Sequence, residues 1–227
     1  MMLSLVVKTL IAVLLLYPTW TYANTAIINS PSGSMDSGKT ILFGEVNIYR
    51  DTLYNNWSLQ KFNTNWTYGI QVVNVRLDGI PAQNYENDTY LNLSRRISLY
   101  SFTLEAGIQG GYNFSSMSPK KLHATSFNDG SYEFNKNLSL HFGGYYVNDE
   151  LATIHEPYNF QTGIKYKFEK ITIVGDYYSG HNNLSGASVN VIYKLTPYLR
   201  PYVGILVPET NSGNEFAGTV GVSYKLF

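Results

Sequence analysis

The part of the sequence that most directly suggests chemistry is Gly33–Thr40, which reads GSMDSGKT and fits the phosphate-binding pattern G-x-x-x-x-G-K-[ST]. In nucleotide-binding proteins this loop follows a buried strand and opens a helix, so that backbone N–H groups and the Lys hold the phosphates. The residues after Thr40 read ILFGEVNIYR, an alternating, β-branched sequence that favours a strand. Because the required helix is not predicted, we expect no nucleotide at this segment.

Four histidines could take part in proton transfer: His123, His141, His155 and His181. A serine esterase pairs a His with a Ser nucleophile and orients the His with an amide or a carboxylate. Approximate pairings occur in HATSFN (123–128), SLH (139–141) and HNNLS (181–185). An esterase is therefore an alternative, but a role as polar lumen or loop residues is favoured, and no residue is predicted to be catalytic.

Composition narrows the class of protein. The 227 residues carry 16 Lys and Arg against 16 Asp and Glu, so no net charge favours nucleic acid. Charged residues make up 14%, against about 25% in soluble domains, whereas aromatics reach 15%. Many amphipathic aromatics and few charges suit a boundary between hydrocarbon and water. The absence of Cys excludes disulfides and thiolate metal sites, and neither a cofactor nor a metal is predicted.

Residues 1–23 have the layout of a secretory signal peptide. Lys8 supplies a positive charge, Leu10 to Tyr17 form an apolar run, and Thr21-Tyr22-Ala23 offers a small-x-small cleavage site. The run is too short to cross about 30 Å of hydrocarbon. The sequence therefore predicts export and cleavage after Ala23, a flexible periplasmic leader over 24–39, and a folded domain over 40–227.

From Thr40 onward the dominant pattern is a period of two, which is typical of strands. Apolar and aromatic residues occupy alternate positions from Phe160 to Phe168, and Lys165 and Lys167 lie on the opposite face. Similar alternation occurs over 102–112, 138–143 and 188–195, and no segment has a convincing helical period. The sequence therefore predicts an all-β protein.

Two kinds of connector alternate strictly between the predicted strands. Short connectors lie at 63–65, 96–98, 135–137, 168–170 and 195–197, and mostly longer polar ones at 51–56, 78–88, 113–121, 147–157, 179–185 and 208–214. This alternation predicts a closed antiparallel up-and-down transmembrane barrel with short periplasmic turns and longer outer loops. One strand between each pair of connectors gives about twelve strands, with ten as the fallback.

Closure is required because lipid cannot pair the backbone groups of a free sheet edge. The apolar face of each strand is predicted to face lipid and the polar face to line the lumen. Aromatic residues gather near the predicted strand ends, where interfacial girdles belong. They are Trp57, Trp66, Tyr100, Phe102, Tyr112, Tyr132, Phe134, Tyr158, Phe168, Tyr177 and Tyr198.

Two segments resemble Gram-negative outer-membrane β-barrel proteins: LTPYLRPYVGILV (195–207) and the terminal strand GTVGVSYKLF, which ends on Phe227. The resemblance implies an outer-membrane location and contact with outer-membrane lipids and lipopolysaccharide. It also implies recognition of the C-terminal aromatic residue by barrel-assembly machinery during insertion. In length and strand number the chain is similar to small monomeric porins for acidic sugars, which implies the architecture but not the substrate.

The inward faces of the predicted strands carry charges that divide the lumen into a basic and a more acidic wall. Rings of charge are how pores choose ions, so these residues are predicted to line a pore: Lys165, Lys167, Lys194, Arg200, Asp176, Glu105, Glu133, Glu45 and Arg96. The predicted function is porin-like passive passage of small hydrophilic solutes. A non-conducting structural or adhesive barrel, tied shut by paired charges, is one alternative, and an esterase or lipid A-modifying barrel is another.

Overall fold

The computed structural model describes residues 38–76, 86–115, 121–151, 156–182, 184–212 and 215–226. The predicted signal peptide, leader residues 24–37, His155 and Phe227 lie outside this part of the chain. The described residues form twelve strands: β1 (Lys39–Ile48), β2 (Leu53–Phe62), β3 (Trp66–Arg76), β4 (Glu86–Leu99), β5 (Phe102–Ser115), β6 (Leu122–Glu133), β7 (Leu138–Val147), β8 (Tyr158–Phe168), β9 (Ile171–Tyr178), β10 (Gly186–Tyr193), β11 (Leu199–Pro208) and β12 (Ala217–Lys225). In this part of the chain, no helix combines the length and apolar character needed to cross a membrane.

The twelve strands close into one barrel. Each strand pairs antiparallel with its neighbours in sequence, and β1 pairs with β12 from Ile41↔Lys225 to Ile48↔Gly218. All backbone ladders are therefore satisfied within the sheet, as a lipid environment demands. The predicted all-β, up-and-down barrel of twelve strands is confirmed.

The order of the connectors agrees with the alternation in the sequence, but the strands extend three or four residues into the predicted connectors 51–56, 78–88 and 113–121, and one turn is misplaced. Residues 63–65 separate β2 from β3, and residues 179–185 separate β9 from β10. The turn predicted at 96–98 is wrong, because β4 continues to Leu99 and the chain reverses at Tyr100 and Ser101. Arg96 and Ser98 had the polar character of a turn, but they are inward-facing strand residues that pair with Glu105 and Thr103. Tyr100 takes the positive φ of 54° that the turn requires, a role usually filled by Gly or Asn.

Large apolar side chains cover the outside of the barrel. On β8, Ile164 and Tyr166 are 47% and 44% exposed, whereas the intervening Lys165 is 7% exposed. The same alternation holds around the sheet because successive strand side chains point to opposite faces. The exposed aromatics include Trp57, Trp66, Tyr100, Tyr112, Tyr132, Phe134, Tyr158, Phe168 and Tyr198. This surface has the apolar band and aromatic girdles that suit a bilayer.

Candidate functional site

The lumen contains a cavity of about 480 Å³ on the side of the barrel formed by β2 to β8. It starts at the turn end, beside Tyr100 and Ser101, and ends beneath Tyr145, Tyr178 and Leu184 towards the loops. Most of the residues between these ends are polar, since they occupy the inward positions of alternating strands. The cavity is therefore a hydrophilic space.

Four of the nine predicted pore-lining residues surround this cavity: Arg96, Glu105, Glu133 and Lys165. Arg96 donates to Glu105 through two guanidinium nitrogens, at 2.7 and 3.0 Å from Oε2. Because this pair is internally neutral, it adds little net charge to its wall. Lys165 is buried on the opposite wall, within electrostatic range of Glu133 and Arg96.

A histidine bridge crosses the β6–β9 wall and includes the predicted residue Asp176. His141 Nε2 lies 2.7 Å from Asp176 Oδ1, and His141 Nδ1 lies 3.3 Å from Asp129 Oδ1. Gln161 donates to the same Asp129 oxygen at 3.2 Å. Sequence reasoning did not single out Asp129, although Asp129 shares the inward face of β6 with the predicted Glu133. Both ring nitrogens of His141 are engaged by carboxylates, so neither is available to Ser139, its neighbour in the SLH segment.

The other described histidines also contact groups unrelated to a serine nucleophile. His123 Nδ1 lies 2.7 Å from the Tyr90 hydroxyl, and its ring stacks on that of Tyr90. His181 Nδ1 lies 2.9 Å from Glu156 Oε2 in the loop region. The described histidines therefore act as polar links within the lumen and loops.

The other three basic residues that were predicted to line the pore lie at the turn end of β8, β10 and β11, close to β12. Lys167, Lys194 and Arg200 occupy inward positions there, and two cations that sequence reasoning missed join them: Lys39 and Lys225. Lys225 Nζ also lies 5.7 Å from the centre of the Tyr198 ring. Lys225 could have been predicted from the sequence, because the alternation of the last strand places it on the inward face.

Lys39 was predicted to belong to the leader, as the lysine of the phosphate-binding pattern. In the structure it opens β1 and pairs with Phe62. Residues from Thr40 onward continue this strand, where a phosphate-binding loop needs a helix. Lys39 is therefore part of the basic end of the lumen.

Glu45, also predicted to line the pore, lies away from the cavity. It is 8% exposed and accepts hydrogen bonds from Asn56 and the Tyr202 hydroxyl, each at 2.8 Å, and from Asn47 at 3.4 Å. Thr219 donates to Asn47 at 2.7 Å. These contacts join β1, β2, β11 and β12 across the lumen and fill it on that side.

An apolar cluster closes the cavity on its loop side. Tyr145, Val147 and Leu151 pack together, and Phe127, Tyr178 and Leu184 pack against them. The β9–β10 loop contributes Leu184 and is held inside the mouth by a hydrogen bond from Asn182 to the Tyr145 hydroxyl at 3.1 Å. Asn182 and Ser185 are fully buried. The loop therefore constricts the lumen with an apolar surface.

A polar network fills the neighbouring part of the loop end. Asp88 accepts hydrogen bonds from Asn74 at 2.7 Å and from Asn113 at 2.6 Å. Asn74 sits at a β-bulge in β3, where its positive φ of 59° aims the side chain inward. The sequence placed Asp88 in a loop, but it is a buried residue of β4.

No protein-family model matches the sequence, and no curated protein matches it. Solved structures do match. The KdgM porin is 16% identical with a TM-score of 0.60, over 82% of this chain and 99% of that one. The NanC porin is 14% identical with a TM-score of 0.60, over 82% and 100%. Outer membrane phospholipase A from Escherichia coli is 14% identical with a TM-score of 0.53, over 83% and 90%. The chain has the fold of outer-membrane porins.

Proposed function

We propose that this protein is an outer-membrane barrel that passes small hydrophilic solutes, with a preference for anions. The observation that carries the proposal is the hydrophilic cavity of about 480 Å³, with Lys165 buried in its wall. The likeness to two porins and the apolar outer band support an outer-membrane location. Export through cleavage after Ala23, insertion by barrel-assembly machinery, and contact with lipid and lipopolysaccharide belong to the same proposal.

The preference for anions follows from how the charges are distributed. Lys167, Lys194 and Arg200, with Lys39 and Lys225, make the turn-side mouth basic, and Lys165 extends this charge into the cavity. On the opposite wall, Arg96 neutralises Glu105 at 2.7 Å. Within the cavity, Lys165 offsets the carboxylates of Asp129 and Glu133. The basic turn-side mouth therefore sets the preference, because charge of one sign around a narrow opening raises the local concentration of solutes of the other sign. A solved complex of the KdgM porin holds oligogalacturonate, an anionic sugar chain.

The nine predicted residues take different parts in this proposal. Lys165, Arg96, Glu105 and Glu133 act at the cavity wall, and Lys167, Lys194 and Arg200 act at the turn-side mouth. Asp176 acts indirectly, by holding His141. Glu45 holds the filled side of the lumen together. The cluster around Leu184 forms a hydrophobic constriction, a type of barrier that limits conduction by excluding water.

Single-channel recording in planar bilayers tests the proposal. Folded protein, identified by its heat-dependent gel mobility, is expected to conduct, and its reversal potential in a KCl gradient should show anion preference. Lys165→Glu should shift that potential towards cation preference. Lys61→Glu, on the outer face of β2, is the matched control and should leave it unchanged. Folded protein without conductance, or an unchanged potential in Lys165→Glu, would contradict the proposal.

A further inference from the structure

The outer face of the barrel carries a recess across β4 to β8, in the surface that faces lipid. Two adjoining depressions, of about 750 and 650 Å³, share Arg95, Ala106 and Asn128 in their linings. Large apolar side chains border them: Trp66, Ile97, Leu104, Phe142 and Phe160. The recess is therefore an elongated groove bordered by apolar groups.

The groove exists because β6 departs from the pattern of its neighbours. Between the large outward residues Leu122 and Tyr132 at its ends, β6 presents only Ala124, Ser126, Asn128 and Gly130, whereas β8 presents Phe160, Ile164 and Tyr166 within its length. A Cβ atom at Gly130 would lie 3.2 Å from the Phe102 ring and 3.5 Å from the Phe142 ring. The small outward residues of β6 therefore form the floor of the groove, and the larger side chains of the neighbouring strands form its walls.

A positive charge lies on the outer face beside this groove. Among the outward strand positions that the structure describes, formal charges occur at Lys61 and Arg95. Lys61 is the next-to-last residue of β2, but Arg95 lies four residues inside the end of β4. An Arg on the lipid face costs from about 0–1 kcal/mol near the interface to about 2–4 kcal/mol at the bilayer midplane. Of these two cations, Arg95 lines both depressions of the groove, and Lys61 lines neither.

The contact between Arg95 and Trp66 indicates the depth of Arg95 in the membrane. Its guanidinium carbon lies 5.6 Å from the centre of the Trp66 ring, and Trp66 is the first residue of β3 after the 63–65 turn. Interfacial Trp residues sit at the level of lipid headgroups, and short turns are periplasmic in this class of barrel. The charge is therefore placed near the headgroups of the periplasmic leaflet, with the groove leading from it into hydrocarbon.

We propose that this groove binds an anionic glycerophospholipid of the periplasmic leaflet. The lipid phosphate pairs with Arg95, and one acyl chain lies over the exposed Ala106 between the apolar walls. A second copy of the chain fits less well, because a two-fold pair would place one recess against the same recess and leave a void. This site requires the barrel to be in a bilayer but is independent of solute passage.

Quenching of Trp66 fluorescence by brominated lipids tests the site. The chain has three Trp, and Trp20 lies in the predicted signal peptide, so Trp57→Phe leaves Trp66 as the single Trp of the mature protein. The refolded protein is placed in phosphatidylcholine vesicles that contain a small fraction of phosphatidylglycerol or phosphatidylcholine brominated in the acyl chain. Phosphatidylglycerol is expected to quench with about fivefold higher affinity, which corresponds to about 1 kcal/mol for one Arg at the membrane surface.

Two variants and one control separate the charge from the groove. Arg95→Gln should abolish the preference for phosphatidylglycerol, and Lys61→Gln, the other outward cation, should preserve it. Ala106→Leu fills the floor from the exposed side without changing charge, and should weaken quenching by phosphatidylglycerol. Heat-dependent gel mobility verifies folding of each variant.

Four results would overturn the proposal, three from quenching and one from competition between lipids. The first is equal quenching by the two brominated lipids, and the second is a preference that survives Arg95→Gln. The third is shielding of Trp66 from both lipids, which would mean that a second copy covers the recess. Competition by lipopolysaccharide stronger than by unlabelled phosphatidylglycerol would assign the groove to the other leaflet and would also contradict it.

Discussion

Glu133 and Glu45 both face the lumen of the barrel, but Glu133 lies at its open cavity and Glu45 lies on its filled side. Glu133 is exposed at the turn end of the cavity. Glu45 is buried and holds hydrogen bonds from Asn56, Asn47 and Tyr202. The comparison shows that facing the lumen does not amount to lining a passage, since the residues opposite decide whether a side chain meets water or packing.

A glycine explains how the filled side arises. Gly221 is paired with Tyr202, and a Cβ atom at Gly221 would lie 2.3 Å from the Tyr202 ring. The missing side chain lets the ring lie across β12, so that its hydroxyl reaches Glu45 on β1. On the β6–β9 wall, Gly163 leaves the space that the His141 ring and the Asp176 carboxylate share.

The largest expected difference between the two sides is in stability. Glu45→Ala should lower the free energy of unfolding by about 3–5 kcal/mol, because buried donors on Asn56 and Tyr202 lose their acceptor. Glu133→Ala, on the cavity side, should change it by no more than about 0.5 kcal/mol. Urea unfolding in lipid vesicles measures both, and equal losses would remove the distinction.

Alanine substitutions at two leucines should affect the free energy of unfolding and the single-channel conductance differently. Leu206 is 3% exposed on the filled side, and Leu184 belongs to the constriction. Leu206→Ala should cost about 2–5 kcal/mol without changing single-channel conductance. Leu184→Ala should cost about 2 kcal/mol or less, because Leu184 is only partly buried, and should raise conductance by widening an apolar barrier. A conductance that is unchanged in Leu184→Ala places the limiting constriction elsewhere.

The smallest expected effect concerns Asn190 on β10. Its side chain lies against Gly204, and within the described residues neither its oxygen nor its nitrogen has a hydrogen-bond partner. Asn190→Leu keeps the number and branching of the side-chain heavy atoms and should raise the free energy of unfolding by about 1 kcal/mol, because no hydrogen bond is lost. Asn56→Leu is the control and should be destabilising, since Asn56 donates to Glu45. Destabilisation by both variants would show that Asn190 is satisfied after all.

Sequence reasoning was accurate where the deciding interactions are local. The connectors at 63–65 and 179–185 match the structure, because turn residues interrupt the alternation at those points. The turn was misplaced at 96–98 because the polar residues there, which face the lumen, have the composition of a turn. The actual turn contains Tyr100 with a positive φ, and Tyr rarely adopts that conformation, so residue preferences could not predict it. Lys39 was missed because a loop-like composition surrounds it, although its pairing with Phe62 makes it part of β1.

The sequence by itself determined a strand number of about twelve, the closed up-and-down order and the face on which most strand residues lie. It could do so because the period of two and the turn signals act over a few neighbouring residues. The tertiary structure decided which inward residues meet the cavity, and that Glu45 does not. That outcome rests on register across the closed sheet, through contacts such as the one between Glu45 and Tyr202, which are 157 positions apart in the chain. No local pattern specifies such a contact, because it exists only once β1 and β12 have closed the barrel.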